Sequence, residues 1–373
     1  MNTNINSFNT FEFNTNNLQN IDSIKKKYLT GITNGDVQSM FGLGFYYQNN
    51  GDFDNMKKYY LMAIANGHIR SMFNLGFYYG NNLYDYENMK KYYLMAINKD
   101  DEASMYNLGL HYQNIRDYEN MKKYYLMAIN KGDVLSIFNL GLYYNLIGDY
   151  ENMKKYYLMA INKGNDTSIY NLGLHYSLMG DYENMKKYYL MAINRGDIKS
   201  MYNLGSYYSY IRDYENMKKY YLMAINNGVI EAMFALGLHY NNVEINFEKM
   251  KQFYLLAINN GDVKSMCNLG LYYSNIRDYE NMKKYWEMAV EKGHVDSMFD
   301  LGLYYYYIRD YENMKKYYIM AFDNGKFYAF YNLGKYYHDI KDYENMKKYW
   351  GLAIEKGENN SSNALKMFYA FSV

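Results

Sequence analysis

Apolar and polar residues recur along this chain with the period of amphipathic helices, and the helices come in pairs. Between Asp166 and Gly180, Ile169, Leu172 and Tyr176 fall at helical spacing, and the pattern breaks at Gly180. Beyond it, Met185, Tyr189 and Ala192 share one stripe, with Lys186 and Lys187 outside it. Asp181 is suited to cap that second helix, and Glu183 sits in its first turn, where the helix dipole favours an acid. Gly196 ends it as a C′ glycine and Asp197 opens the next pair.

The same pattern repeats. A Leu-Gly pair marks the first helix of each unit, with its glycine at Gly44, Gly76, Gly109, Gly141, Gly173, Gly205, Gly237, Gly270, Gly302 and Gly334. The spacing is 32 residues, or 33 after Gly76 and Gly237, and both extra residues fall in the loop between paired helices. The segment "DYENMKKYYLMAIN" occurs unchanged five times, starting at Asp85, Asp117, Asp149, Asp181 and Asp213. The stretch 23–36 matches a second helix without its first, and 361–373 a first helix without its second. The expected architecture is therefore all-α: an α-solenoid of ten antiparallel helix pairs (36–356) with a capping helix at each end (22–34 and 359–372). The Asn-rich residues 1–20 show no apolar period and are expected to be disordered.

Within a unit, Leu172, Gly173, Tyr176, Met185, Tyr189 and Ala192 resemble the tetratricopeptide pattern, and "AINKGNDTSIYNLG" (160–173) resembles the junction between Sel1-like repeats. Ser168 stands where that family prefers Ala, and Trp286 and Trp350 fall at its aromatic position. Two departures stand out: the loop between paired helices lacks the longer Gly-x-Gly-Val segment, and Met replaces the small residue of the second helix. The resemblance implies a right-handed superhelix, with second helices outside and first helices lining a concave groove. The Tyr/Asn/Lys-rich units also resemble repeat proteins of amoebal giant DNA viruses.

If first helices line a groove, their outward positions are the candidate site. Two residues before each Leu-Gly glycine stands Asn74, Asn107, Asn139, Asn171, Asn203, Asn268 or Asn332; Gly42, Ala235 and Asp300 are the exceptions. The row resembles the asparagine ladder of some tetratricopeptide superhelices, in which carboxamides pair with a peptide backbone whatever its sequence. A row that merely solvates the helix, or is inherited by duplication, is the competing reading. One turn earlier nearly every unit differs: Gln38, Arg70, Ala103, Leu135, Thr167, Lys199, Glu231, Lys264, Asp296 and Tyr328. Specificity for a partner and neutral drift both fit that variation. An aromatic row (Phe41, Phe73, Tyr106, Phe138, Tyr170, Tyr202, Phe234, Phe299, Tyr331) suits either a groove wall or packing.

Composition narrows the function. The chain has 373 residues, no Pro, 53 Tyr, and a net charge of +1, which argues against a dedicated nucleic-acid or membrane-surface binder. Tyr, Asn and Lys abundance matches the coding bias of an AT-rich genome. One cysteine, Cys267, permits no internal disulfide and suits a reducing, intracellular setting, expected to be the cytoplasm, or the host cytoplasm for a viral protein. No secretory signal or membrane span is expected.

No cofactor, metal or catalytic constellation is expected. His111, His175 and His239 replace a tyrosine in alternate units, too far apart to share zinc. His68 and His294 read as surface turn residues, Cys267 as a packing residue with no His at useful sequence spacing, and no hydrolase, zincin or phosphate-loop motif occurs. Paired lysines such as Lys122 and Lys123, Lys154 and Lys155, and Lys186 and Lys187 are offset by acids such as Asp149 and Glu151. The expectation is a non-enzymatic interaction scaffold or adaptor for an extended peptide or partner protein. The alternative is an RNA-binding helical repeat, since the units also distantly resemble pentatricopeptide pairs. Oligomeric state and partner are not legible.

Overall fold

The computed structural model describes residues 18–371. Among these, 22 α-helices follow one another and no strand occurs. Most of the Asn-rich start expected to be disordered (residues 1–17) lies outside the described residues. The chain divides into two compact units, 1–188 and 189–373, with the division inside helix α11 (Tyr182–Ile193).

In the first unit, α1 (Leu18–Thr33) packs on α2 (Val37–Asn49), and pairs follow. They are α2 with α3 (Phe53–Ala65), α4 (Ile69–Asn82) with α5 (Tyr86–Ile97), α6 (Glu102–Asn114) with α7 (Tyr118–Lys131), and α8 (Val134–Leu146) with α9 (Tyr150–Asn162). Helix α10 (Asp166–Leu178) then packs on α9. In the second unit the pairs are α12 (Ile198–Tyr210) with α13 (Tyr214–Asn226), α14 (Ile230–Asn242) with α15 (Phe247–Asn259), and α16 (Val263–Asn275) with α17 (Tyr279–Glu291). There follow α18 (Val295–Tyr307) with α19 (Tyr311–Asp323), α20 (Tyr328–Asp339) with α21 (Tyr343–Glu355), and α22 (Asn359–Phe371). Inside each unit, first helices of successive pairs also touch, as α6 does α8 and α14 does α16. The architecture is that of an all-α solenoid.

Local chemistry explains the constancy of "DYENMKKYY". The Asp149 carboxylate caps α9 by accepting the Asn152 backbone N–H at 3.2 Å, while the Asn152 side chain donates to its other oxygen at 2.8 Å. The clasp recurs at Asp85 with Asn88, Asp117 with Asn120 and Asp213 with Asn216, each satisfying an orphan N–H at the helix start. Of the two lysines, Lys122 pairs with Glu119 at 2.8 Å and Lys123 lies 5.2 Å over the Tyr124 ring. Both are surface contacts and contribute little to stability.

The core lies between the paired helices. Met153, Tyr157 and Ala160 of α9 and Ile137 and Leu140 of α8 are all at most 1% exposed. The Tyr157 ring rests on the α8 backbone at Gly141, where an added Cβ would come 2.5 Å from its Cδ1. That approach is why the Leu-Gly glycine accompanies an aromatic 16 or 17 residues later: both sides of one contact are conserved within the chain.

Candidate peptide-binding face

The aromatic ring that presses on each Leu-Gly glycine does not end in the core. Tyr60, on α3, donates its hydroxyl to Gln48 Oε1 on α2 at 2.5 Å and accepts from Asn74 Nδ2 on α4 at 2.9 Å. Tyr125 repeats the bridge, donating to Gln113 at 2.8 Å and accepting from Asn139 at 3.1 Å. A tyrosine of the second-helix layer thus ties two successive first helices together at their outward side.

This bridge accounts for the asparagine row. Asn171 donates to Tyr157 at 3.4 Å, Asn203 to Tyr189 at 3.3 Å, Asn268 to Tyr254 at 3.2 Å, and Asn332 to Tyr318 at 3.4 Å. Asn107 instead turns back to the Ala103 carbonyl at 2.8 Å. All seven are half-buried. Each carboxamide has both donors and an acceptor, and only one donor is needed for the tyrosine. Burial pushes the Tyr157 hydroxyl up to about 12, so it stays neutral and hydrogen-bonding at physiological pH.

The exceptions have local causes. At Gly42 a Cβ would come 2.5 Å from the Tyr28 ring of α1. Where Ala235 replaces Asn, the hydroxyl of Tyr221 is 3.1 Å from Ser206 Oγ instead. Where Asp300 replaces Asn, the facing residue is Trp286, whose indole N–H turns back to the Cys267 carbonyl at 3.4 Å.

One turn earlier, Arg70, Leu135 and Thr167 are exposed in the first unit, and Lys199, Glu231, Lys264, Asp296 and Tyr328 in the second; Gln38 is exposed and Ala103 half-buried. Some are engaged: Asp296 pairs with Lys326 at 2.8 Å, and Lys264 lies 5.9 Å over Phe234. The aromatic row is half-buried and leans on the tyrosine of its own pair, as Phe138 does on Tyr157 at 6.1 Å.

Comparison with known proteins follows this pairing. The tetratricopeptide repeat family matches residues 37–65, 135–162, 167–195, 198–226, 263–291 and 327–355, each stretch covering one helix pair. Among solved structures, the chain is similar to a Sel1 repeat protein from Oxalobacter formigenes, at 18% identity, with a TM-score of 0.58 over 74% of this chain and 89% of that one. It is also similar to a protective antigen of uropathogenic Escherichia coli displaying an SLR fold, at 18% identity, with a TM-score of 0.52 over 94% of this chain and 89% of that one. The chain shares the α-solenoid fold of tetratricopeptide and Sel1 repeat proteins. No curated protein matches its sequence.

In this solenoid a further row joins the asparagines. The residue after each Leu-Gly glycine is apolar in eight pairs: Phe45, Phe77, Leu110, Leu142, Leu174, Leu238, Leu271 and Leu303. Phe45, Leu142, Leu174, Leu238 and Leu271 are exposed, and Leu142, Leu174 and Leu271 lie one helical turn from Asn139, Asn171 and Asn268. Between α8 and α10, Leu142, Tyr157, Asn171, Leu174 and Leu178 line a cleft of about 100 Å³. The signal was present in the constant letters beside Leu-Gly, but an apolar residue at helical spacing reads first as core.

The structure corrects two sequence readings. His68 and His294 are half-buried helix caps rather than surface turn residues: His68 Nδ1 accepts from Ser71 N–H at 3.2 Å and His294 Nδ1 from Ser297 N–H at 3.1 Å. Cys267 does meet a histidine, with its Sγ 3.2 Å from His294 Nδ1 and 3.5 Å from Ser297 Oγ. The aromatic-row position of one first helix lies beside the cap of the next, as Phe41 does beside His68 at 4.7 Å. The pair is ill suited to nucleophilic chemistry, because the His294 lone pair already serves as the cap and burial pushes the Cys267 thiol up.

His111, His175 and His239 are buried and lie against Tyr86, Tyr150 and Tyr214 in tilted ring contacts at 4.9, 4.8 and 4.8 Å. No group of three or more His, Cys, Asp or Glu able to hold a metal occurs among the described residues. No described helix is long and apolar enough to cross a membrane.

Proposed function

We propose that this solenoid is a non-enzymatic protein-interaction scaffold that takes an extended segment of a partner protein along the face formed by its first helices. The observation that carries the reading is the polar frame of Asn carboxamides locked to Tyr hydroxyls. For Asn171 the tyrosine takes one N–H and leaves the carbonyl oxygen with no described donor. A fixed carboxamide with an open acceptor suits the N–H groups of an extended backbone. The exposed leucines alongside supply apolar contact, and Arg70, Leu135, Thr167, Lys199, Glu231, Lys264, Asp296 and Tyr328 supply differences between repeats. No observation favours the RNA-reading alternative.

The test is capture of a partner from the native cell by the full chain and by the variant Asn107→Ala, Asn139→Ala, Asn171→Ala. Ala235 already occupies this register, so the variant is expected to fold, as its helical circular dichroism would show. Loss of the captured partner with the fold intact supports the reading; undiminished capture refutes it.

A further inference from the structure

Between α16 and α18 the tyrosine bridge is missing, and a cleft lies there. In the pair α16–α17, Ser274 stands where Gln48 and Gln113 stand in theirs, and Trp286 stands where the bridging tyrosine does. With a short side chain, no hydroxyl, and an indole turned toward Cys267, no bridge of the Tyr60 or Tyr125 kind joins α16 to α18. What remains is a cleft of about 610 Å³ walled by Tyr279, Trp286, Leu303, Tyr304 and Tyr307, with Asp300 among its lining residues. Asp300 is half-buried and accepts no described hydrogen bond. Its carboxyl is pushed above the usual carboxylate range, first by burial and then by Asp296. Asp296 is paired with Lys326, and His294 lies nearby as a cap. Arg277 lines the same cleft but is exposed, so water screens it more than Asp300.

The next cleft along, about 340 Å³, shares Leu303 and Tyr307 with the first and is lined by Tyr318, Tyr328 and Lys335. Lys335 occupies the row that is leucine or phenylalanine in most other pairs, and no described carboxylate pairs with it. Of two adjacent aromatic clefts, one therefore holds a half-buried acid with no ion pair beside the exposed Arg277, and the other a base with no described carboxylate partner. Successive first helices stand roughly 9–10 Å apart, and a polyproline II chain advances about 3.1 Å per residue with three residues per turn, so neighbouring clefts meet side chains three residues apart on one face of such a chain.

We propose that the two clefts bind an extended peptide segment carrying a basic residue, held beside the exposed rings of Tyr279 and Tyr307 against Asp300, and an acidic residue three positions away, held by Lys335. The proposal rests on the first-helix face being the binding face and adds the charge order of its occupant. An aromatic wall beside a carboxylate favours a guanidinium or ammonium by both ring quadrupole and ion pairing.

The experiment is fluorescence anisotropy of the full chain with labelled, otherwise neutral peptides. These hold one Arg and one Glu, with two, one or three neutral residues between them and in both orders, beside Arg→Gln and Glu→Gln controls. The native chain is expected to bind a peptide with two intervening residues, and to bind the Arg→Gln control about tenfold to a hundredfold more weakly, the factor a charge-assisted contact supplies. Asp300→Asn is expected to abolish that discrimination, and Lys335→Ala the discrimination for Glu. Asn268 and Asn332 hold the same register as Asp300, so the fold accommodates the change. Equal affinity for charged and neutral peptides, indifference to spacing, or unchanged discrimination by Asp300→Asn overturns the proposal. If capture still depends on Asn107, Asn139 and Asn171, the face survives and only its charge order fails. If capture does not depend on them, the face itself has failed its own test and this proposal falls with it.

Discussion

Removing one hydroxyl should separate the bridge from the packing that surrounds it. Tyr125 and Tyr93 sit in helices that share the sequence "YENMKKYYLMAI", both are nearly fully buried, and both press on a Leu-Gly glycine. They differ in what their hydroxyls meet. Tyr125 donates to Gln113 and accepts from Asn139. Tyr93 has Gly80 in place of the glutamine, and its asparagine, Asn107, is turned back to Ala103. A net hydrogen bond contributes about 1 kcal/mol. Asn139 and Gln113 are only half-buried, so water recovers part of two such bonds. Tyr125→Phe is therefore expected to cost about 1–2 kcal/mol and Tyr93→Phe less than about 0.5 kcal/mol. Repeat arrays need not unfold in one step. The measurement should therefore combine urea unfolding with hydrogen exchange localised to α6–α8, and a double-mutant cycle with Asn139→Ala should recover a coupling of about 0.5–1 kcal/mol. Equal losses for the two tyrosines, or no coupling, would refute the bridge as the reason asparagine holds this register.

Three further outcomes follow from the geometry. Gly141→Ala drives a methyl to 2.5 Å from the Tyr157 ring and is expected to cost about 1–3 kcal/mol in urea unfolding, with partial recovery when Tyr157 is also changed to Leu. Asn152 holds the Asp149 carboxyl below its ordinary value, and the other Asp–Asn clasps do the same. A lowered folded-state value gives stability that is complete above the unfolded carboxylate value of about 4 and is lost as pH falls through the folded one. Hydrogen exchange at the starts of α7, α9 and α13 should therefore accelerate below that pH sooner than at α10, whose cap, Asn165, does not titrate. Finally, because burial raises the Cys267 thiol, iodoacetamide should alkylate it more slowly than free cysteine at neutral pH; a faster reaction would mean that His294 activates it.

Much of the fold was legible because each signal repeated. A period of 32, an Asp at nearly every second-helix start (Asn246 in one) and a glycine at most helix ends identify pairs even when a single pair would be ambiguous. The inner tyrosine was harder to read. Periodicity places Tyr157 on a buried stripe, but says nothing of where its polar end emerges, and a buried tyrosine hydroxyl must find a partner. Periodicity and the resemblance together place the constant helix in the outer layer, whereas its hydroxyl reaches the first-helix face. The asparagine row was visible for the complementary reason, being constant where neighbours vary, yet its donor and its acceptor could not be divided between frame and ligand. Cys267 and His294 are 27 residues apart, and their contact follows only once neighbouring first helices are known to lie in register.

The bridging tyrosine also governs how such a chain can change its length. Asn139 reaches back to Tyr125, and Asn171 to Tyr157, one pair earlier in each case. Excising residues 133–164 would join Gly132 to Asn165 and bring Asn171 opposite Tyr125, the same residue in the same helix sequence. No new contact would have to be invented, and duplication of the segment would be equally seamless. Copy number is thus a heritable variable that recombination can adjust without passing through a misfolded intermediate, and the reach of the first-helix face can grow or shrink by one pair at a time.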